Sequence, residues 1–174
     1  LLPVRTVGVQ GDGRSYNYLA ALSGQADWPR LLAKAREIPK AVHDVNRVGY
    51  VFGDKLTEPP REITPTYPEP DAVEQLRQAD RVVNDILLRR GLVKKLSQVP
   101  VVSFPVTFGR PGCRAIGLRP FITNDFMTGM PAVPDVDLPE KVVTEIVDRL
   151  LKIDGIARVA YDLTSKPPGT TEWE

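Results

Sequence analysis

Cysteine and histidine occur once each in this chain, as Cys113 and His43. One cysteine cannot form an intrachain disulfide, and it suits a reducing compartment. One of each also provides neither a metal centre nor an activated nucleophile, because both need several such groups converging. Cys113 reads as a small, partly buried residue beside a turn, and His43 as a structural or solvated residue inside a helix. No glycine-rich GxxxxGK[ST] phosphate loop and no nucleophile elbow is present. Charge of one sign is not in excess: 23 Lys and Arg face 22 Asp and Glu, for a net +1. That excludes a global basic field for nucleic acid, and no basic amphipathic run marks a membrane surface helix. No apolar stretch approaches the roughly 20 residues that cross a bilayer. The opening LLPVRTVGVQ lacks the charged region and cleavage site of a signal peptide. A cytosolic chain without covalent or metal chemistry of its own is expected.

Proline, by contrast, is abundant at 17 residues, and Pro59, Pro60, Pro65, Pro68 and Pro70 crowd into one short stretch. Prolines remove ladder donors and fix φ, so residues 54–70 read as a semi-extended linker. Before it, residues 4–10 and 15–22 alternate as two strands around the turn Gly11-Asp12-Gly13, a hairpin signature. Asp27 is placed to cap a helix with Pro29 in its first turn. Leu31, Leu32, Ala35 and Ile38 share one face of it, and Pro39 should kink or restart it. Residues 47–52 form a third strand. After the linker, Asp71 and Glu74 resemble a capping box, and Val73, Leu76, Val83 and Leu87 carry a helix to Gly91.

The second half repeats this order. Strands are expected over 101–108 and around 114–122, separated by Gly109-Arg110-Pro111-Gly112. A helix with the stripe Val142, Val143, Ile146, Val147 and Leu150 follows, then a last strand over 156–163. Arg47-Val48-Gly49-Tyr50 aligns with Arg158-Val159-Ala160-Tyr161, and each is followed by a Pro-Pro pair. The reading is an α+β fold of two diverged β-β-α-β units: 1–54, a linker and helix over 55–94, and 95–174. Either unit alone is too small to bury much surface, so pairing of units or of chains is expected.

Three polar segments exceed what a core needs. Arg14, directly after the Gly11–Gly13 turn, offers a planar fork to phosphate beside Asp12, although Gly and Asp suit a hairpin turn in any case. Gln98, within Lys95-Leu96-Ser97-Gln98, either caps backbone or reads a base edge. The tail Lys166-Pro167-Pro168-Gly169-Thr170-Thr171-Glu172-Trp173-Glu174 is stiffer than an ordinary frayed terminus. Its lysine suits phosphate and its carboxylates suit purine N–H groups. The tail is expected to add little to either hydrophobic core.

The strings VRTVGVQGDGRSY, NRVGYVFG, LRQAD, SQVP, RPFITNDFMTGMPA and YDLTSKPPGTTEWE together resemble the C-terminal region of glutamine-hydrolysing GMP synthases, in the longer, two-unit vertebrate-type form. The ending KPPGTTEWE beside DFMTG carries most of that resemblance, which extends over the whole chain. It implies a ligase that aminates XMP to GMP with ATP and glutamine, in which this region binds XMP and makes a homodimer. Carried over, Asp12, Arg14, Gln98, Lys166 and Glu172 match XMP contacts, and Arg119 in LRPFIT is a secondary candidate. No catalytic residue and no metal site is expected here. ATP and Mg belong to an ATP pyrophosphatase domain, which together with the glutaminase domain has no motif in this chain, so the chain is expected to be a fragment. Two rivals are weighed. A pure dimerisation module has no use for Lys166 and Glu172 around a stiff Pro-Pro. An RNA-binding module is disfavoured by the near-zero charge and the lack of strand-centre aromatic pairs.

Overall fold

The computed structural model describes residues 1–173, apart from the side chain of Gln10; Glu174 lies outside the described residues. Strands β1 (Arg5–Gln10) and β2 (Gly13–Leu22) form the expected antiparallel hairpin. Helix α1 (Trp28–Ala41) starts where Asp27 caps it by accepting from Arg30 N. It runs without interruption through Pro39, which is buried, and His43 falls just beyond it. Strand β3 (Val45–Val51) lies parallel to β2, the right partner for a strand reached by a helical crossover.

The linker is extended and makes one sheet-like contact, Ile63 with Val106. Helix α2 (Pro70–Arg89) begins two residues earlier than the capping-box reading, with Asp71 as cap, placed it. Proline occupies its first turn and Glu69 caps it without a side-chain bond. The strand expected over 101–108 is shortened to β4 (Val101–Phe104), ending at Pro105, which has no N–H to continue the ladder. The strand expected over 114–122 is divided at Arg119-Pro120. Its first part is β5 (Arg114–Leu118); its second, β6 (Phe121–Ile122), pairs instead with β7 (Met130–Pro131). Helix α3 (Glu140–Leu150) buries all five residues of its expected stripe, and β8 (Ile156–Asp162) runs parallel to β5.

Six strands form one sheet in the order β1-β2-β3-β8-β5-β4. Each half therefore supplies a hairpin and a parallel strand returned by a helix. The halves meet antiparallel at β3 and β8, where Gly49, Tyr50 and Val51 face Asp162, Tyr161 and Ala160. Tyr50 and Tyr161, matched as repeats in sequence, are thus cross-strand neighbours. Trp28 stacks edge-on against Tyr50 at 5.3 Å and tilts over Tyr161 at 5.8 Å. Its indole N–H reaches Glu140 Oε1 at 2.9 Å, tying α1 to α3.

The period of two separates the sheet's faces. Val48, Tyr50, Ile116, Leu118, Val159 and Tyr161 turn toward the three helices and build the larger core. Leu19, Val51, Ala115 and Ala160 turn the other way. There they are covered by Leu2, Phe104, Val106 and, from the tail, Trp173, which is only 5% exposed. Gly117 makes room for it, since a Cβ there would come within 2.7 Å of the indole. The expectation of a tail outside both cores is overturned: its indole is a wall of the second core. Replacing Trp173 with Ala should therefore lower the unfolding free energy by about 3–5 kcal/mol. Urea denaturation with an unchanged slope would register this, and a loss below about 1 kcal/mol would show the indole to be dispensable.

Candidate functional site

The tail leaves β8 at Asp162 and doubles back along the outer edge of β1. Val9 N donates to Pro168 O and Val7 N to Trp173 O, both at 2.8 Å, with Gly8 opposite Gly169 between them. An edge strand would otherwise leave these N–H groups unpaired, so the tail completes the sheet as well as the core. Both peptide bonds into the proline pair, Lys166-Pro167 and Pro167-Pro168, are cis.

Beneath the tail lies a polar cluster with no solvent access. Asp162, Arg47 and Arg119 are each 0% exposed. Asp162 Oδ2 accepts from Arg47 Nη1 at 2.9 Å, Arg119 Nη1 at 2.8 Å and the Trp173 indole N–H at 2.9 Å, while Oδ1 accepts from Thr164 N. Burial by itself would raise the pKa of Asp162, but Arg119 and Arg47 outweigh it and hold the carboxyl below its usual range. Burial pushes Arg47 down; Asp162 pulls it back and Arg119 pushes against it, leaving the guanidinium at about 10. It remains charged at neutral pH. Arg119 also donates to Thr164 O and lies over the Phe121 ring. Arg119, the secondary candidate from the sequence, has its side chain in the interior.

The other sequence-derived candidates reach the surface. Asp12 and Arg14 sit exposed at and after the β1–β2 turn, which Gly11 permits at φ +65°. Arg14 faces Val9 in the ladder, and Val9 is the residue paired with Pro168, so the hairpin tip projects beside the proline pair. Lys166 is half-buried. Its Nζ donates to Phe126 O at 2.6 Å and Thr171 Oγ1 at 3.2 Å, while its backbone exchanges both hydrogen bonds with Gly129. Gln98 pairs through its backbone with Phe121, and its neighbour Ser97 bonds both ways to Thr123, entering the same loop. Glu172 keeps its carboxylate exposed, while its backbone oxygen accepts from Arg47. It lines a groove between β1 and β4 with Arg5, Val101 and Trp173. Pro167 and Pro168 line a separate hollow with Val9, Arg36 and Lys40. The structure thus joins Lys166 and Gln98 through one loop and sets Asp12 and Arg14 beside the prolines. Glu172 stands on the other flank of the tail.

Reading by residue type missed the 123–129 loop as a support. Asp125 Oδ1 accepts from Met127 N and Thr128 N, both at 2.9 Å, which fixes the carbonyl of Phe126 toward Lys166. Those N–H bonds, that from Thr128 foremost, hold the Asp125 carboxyl below its ordinary 3.8. A carboxylate depressed by folding supports the fold above its unfolded value and loses that contribution as pH falls through the lower folded one. Exchange protection of the Met127 and Thr128 amides should therefore be flat above pH 3.8 and decline below it. Asp125→Ala should abolish it at every pH. Protection that survives the substitution would show the loop held by other contacts.

A family described as "GMP synthase C terminal domain" matches residues 86–173. The chain is 46% identical to the GMP synthase [glutamine-hydrolyzing] of Dictyostelium discoideum over 99% of its length. It is 45% identical to the probable GMP synthase [glutamine-hydrolyzing] of Caenorhabditis elegans over its whole length. It spans 26% of either relative. On these matches the chain belongs to the family of GMP synthase C-terminal domains.

Proposed function

We propose that this chain is the XMP-binding and dimerising part of a glutamine-hydrolysing GMP synthase, acting in the cytosol in GMP biosynthesis. The observation that carries the reading is the fixed tail. Its amine and its exposed carboxylate are held on a backbone bonded to both β1 and the 123–129 loop. A binding surface already ordered before its ligand arrives loses little entropy when the ligand binds. Lys166 can exchange a neutral carbonyl for a phosphate oxygen, a charge-assisted contact of greater strength. Arg14, on the hairpin beside the proline pair, offers a bidentate fork to the same anion. Asp12, Gln98 and Glu172 supply acceptors for ribose hydroxyls and purine N–H groups, Gln98 a donor as well. XMP and GMP differ at a single exocyclic position, so both are partners of such a site.

The amination itself is assigned to the glutaminase and ATP pyrophosphatase domains of the full-length enzyme, where ATP and Mg would be handled. A second copy of the chain is the further partner; nucleic acid and membrane are not. No helix among the described residues is long and apolar enough to cross a membrane.

The decisive measurement is titration of XMP into the full-length synthase and its Lys166→Ala variant. Loss of a charge-assisted bond of about 1.5–3 kcal/mol should weaken XMP by roughly tenfold to a hundredfold. The melting temperature should stay within about a degree or two, as for a half-exposed side chain. Glu172→Gln should weaken XMP in the same direction while keeping the tail's shape. Unchanged affinity alongside a large fall in melting temperature would make these residues structural. The isolated chain, supplied with XMP, ATP and ammonia, should yield no GMP; ATP-dependent turnover by it would overturn the division of labour.

A further inference from the structure

We infer that Arg47 is the positioning residue of the tail, fixing the two residues that flank Thr171 and through them the Lys166 amine. The inference rests on reading the tail as the XMP site. Arg47 Nη2 donates to Thr170 O at 3.0 Å, to Thr170 Oγ1 at 2.8 Å and to the Glu172 carbonyl. Thr171, between them, turns its hydroxyl to Lys166 Nζ at 3.2 Å. One guanidinium therefore sets the backbone from which Glu172 projects and the partner that steers Lys166. Gly169 is part of the fit, since a Cβ there would lie 3.3 Å from Arg47 Nη1 and 3.1 Å from Thr164.

Charge balance separates this role from a purely architectural one. Two guanidinium groups share one carboxylate, and Arg47 Nε, Arg119 Nε and Arg119 Nη2 have no acceptor among the described residues. Arg119 with Asp162 is already a neutral buried pair, and it keeps the Thr164 contact. The interior would be closer to neutral without the second arginine. A buried cation in surplus is costly, and what Arg47 adds beyond that pair, apart from a long 3.4 Å bond to Val7 O on β1, lies toward the tail: its hydrogen bonds to residues 170 and 172 and its position 5.7 Å over the Trp173 ring. Its guanidinium sits directly under a segment whose proposed ligand is an anion. Glu172, Asp162 and Arg119 are the charged groups acting on it.

The test compares Arg47→Met, Arg47→Lys and Thr170→Val in the full-length synthase. Arg47→Met should remain folded on the Arg119–Asp162 pair and raise both the XMP dissociation constant and the KM for XMP by about tenfold. KM for ATP and for glutamine should not move, a split that a general loss of folded enzyme cannot produce. Arg47→Lys should recover part of the affinity, because it restores the charge but not the fork. Thr170→Val removes one acceptor while leaving the buried charges in place, and should weaken XMP a few-fold at an unchanged melting temperature. It decides the matter if Arg47→Met does not fold. Wild-type affinity for XMP in a folded Arg47→Met, or in Thr170→Val where the first is unfolded, overturns the inference. Absence of XMP binding by the wild-type enzyme overturns the underlying reading of the site instead.

Discussion

Asp162 is a carboxylate that no water reaches, and its two oxygens accept from four separate parts of the chain. Arg47 comes from β3, Arg119 from the break after β5, Trp173 from the tail and Thr164 from the turn beyond β8. An ion in such a place is tolerated only while a cationic partner and hydrogen-bond donors surround it, since a carboxylate left without them is stranded in a low dielectric. The requirement is mutual, and it dictates geometry. The seam between the halves must bring β3 against β8 in one register, and the tail must return over the sheet to deliver its indole. Small residues at 117 and 169 follow from the same demand, because backbone and ring have to approach within contact distance there.

The sheet consequently has two faces of different character. Toward the helices it is an ordinary apolar layer, closed by the stripe of α3 and by Trp28 across the central tyrosines. Toward the tail it combines a smaller apolar core with the arginine–carboxylate cluster, and this is the face that carries Lys166 and Glu172. The tail joins the two, since its Trp173 enters the second core while Pro167 and Pro168 line a hollow with Arg36 and Lys40 of α1.

Local signals explain what was legible in the sequence. The first hairpin, the Asp27 cap, the Gly91 stop and the α3 stripe each depend on residues a few positions apart, where propensity and periodicity act directly. Prolines told less at their own positions: Pro39 stayed inside a helix, while Pro105 ended a strand that had been expected to continue. The order of strands was out of reach because it is fixed by pairs such as Tyr50 and Tyr161, distant in sequence. Arg47 was visible only as half of a repeat with Arg158, yet the two diverge completely: Arg158 reaches Phe52 O near the surface, and Arg47 is sealed. A signal was nonetheless present, for an arginine in the strand Val45–Val51, otherwise largely apolar, has to meet a carboxylate somewhere. The tail was misjudged for a related reason. Its tryptophan is a large apolar side chain, but nothing in a terminal segment announces which core it will enter.

The tail's place on β1 also has a temporal side. Thr170 Oγ1 meets Val7 O across a separation of 163 residues, so the first strand is completed only by the last turn of chain. On a ribosome, where earlier residues emerge first, the outer edge of β1 must wait until residues 168–173 have followed it. During that wait its N–H groups face whatever is nearby, including the same strand on a neighbouring nascent chain. The hairpin's exposed arginines, Arg5 and Arg14, give that edge a like charge in every copy. Closure by the tail thus links two stretches far apart in sequence: without residues 168–173, both the outer edge of β1 and the second core would stand open.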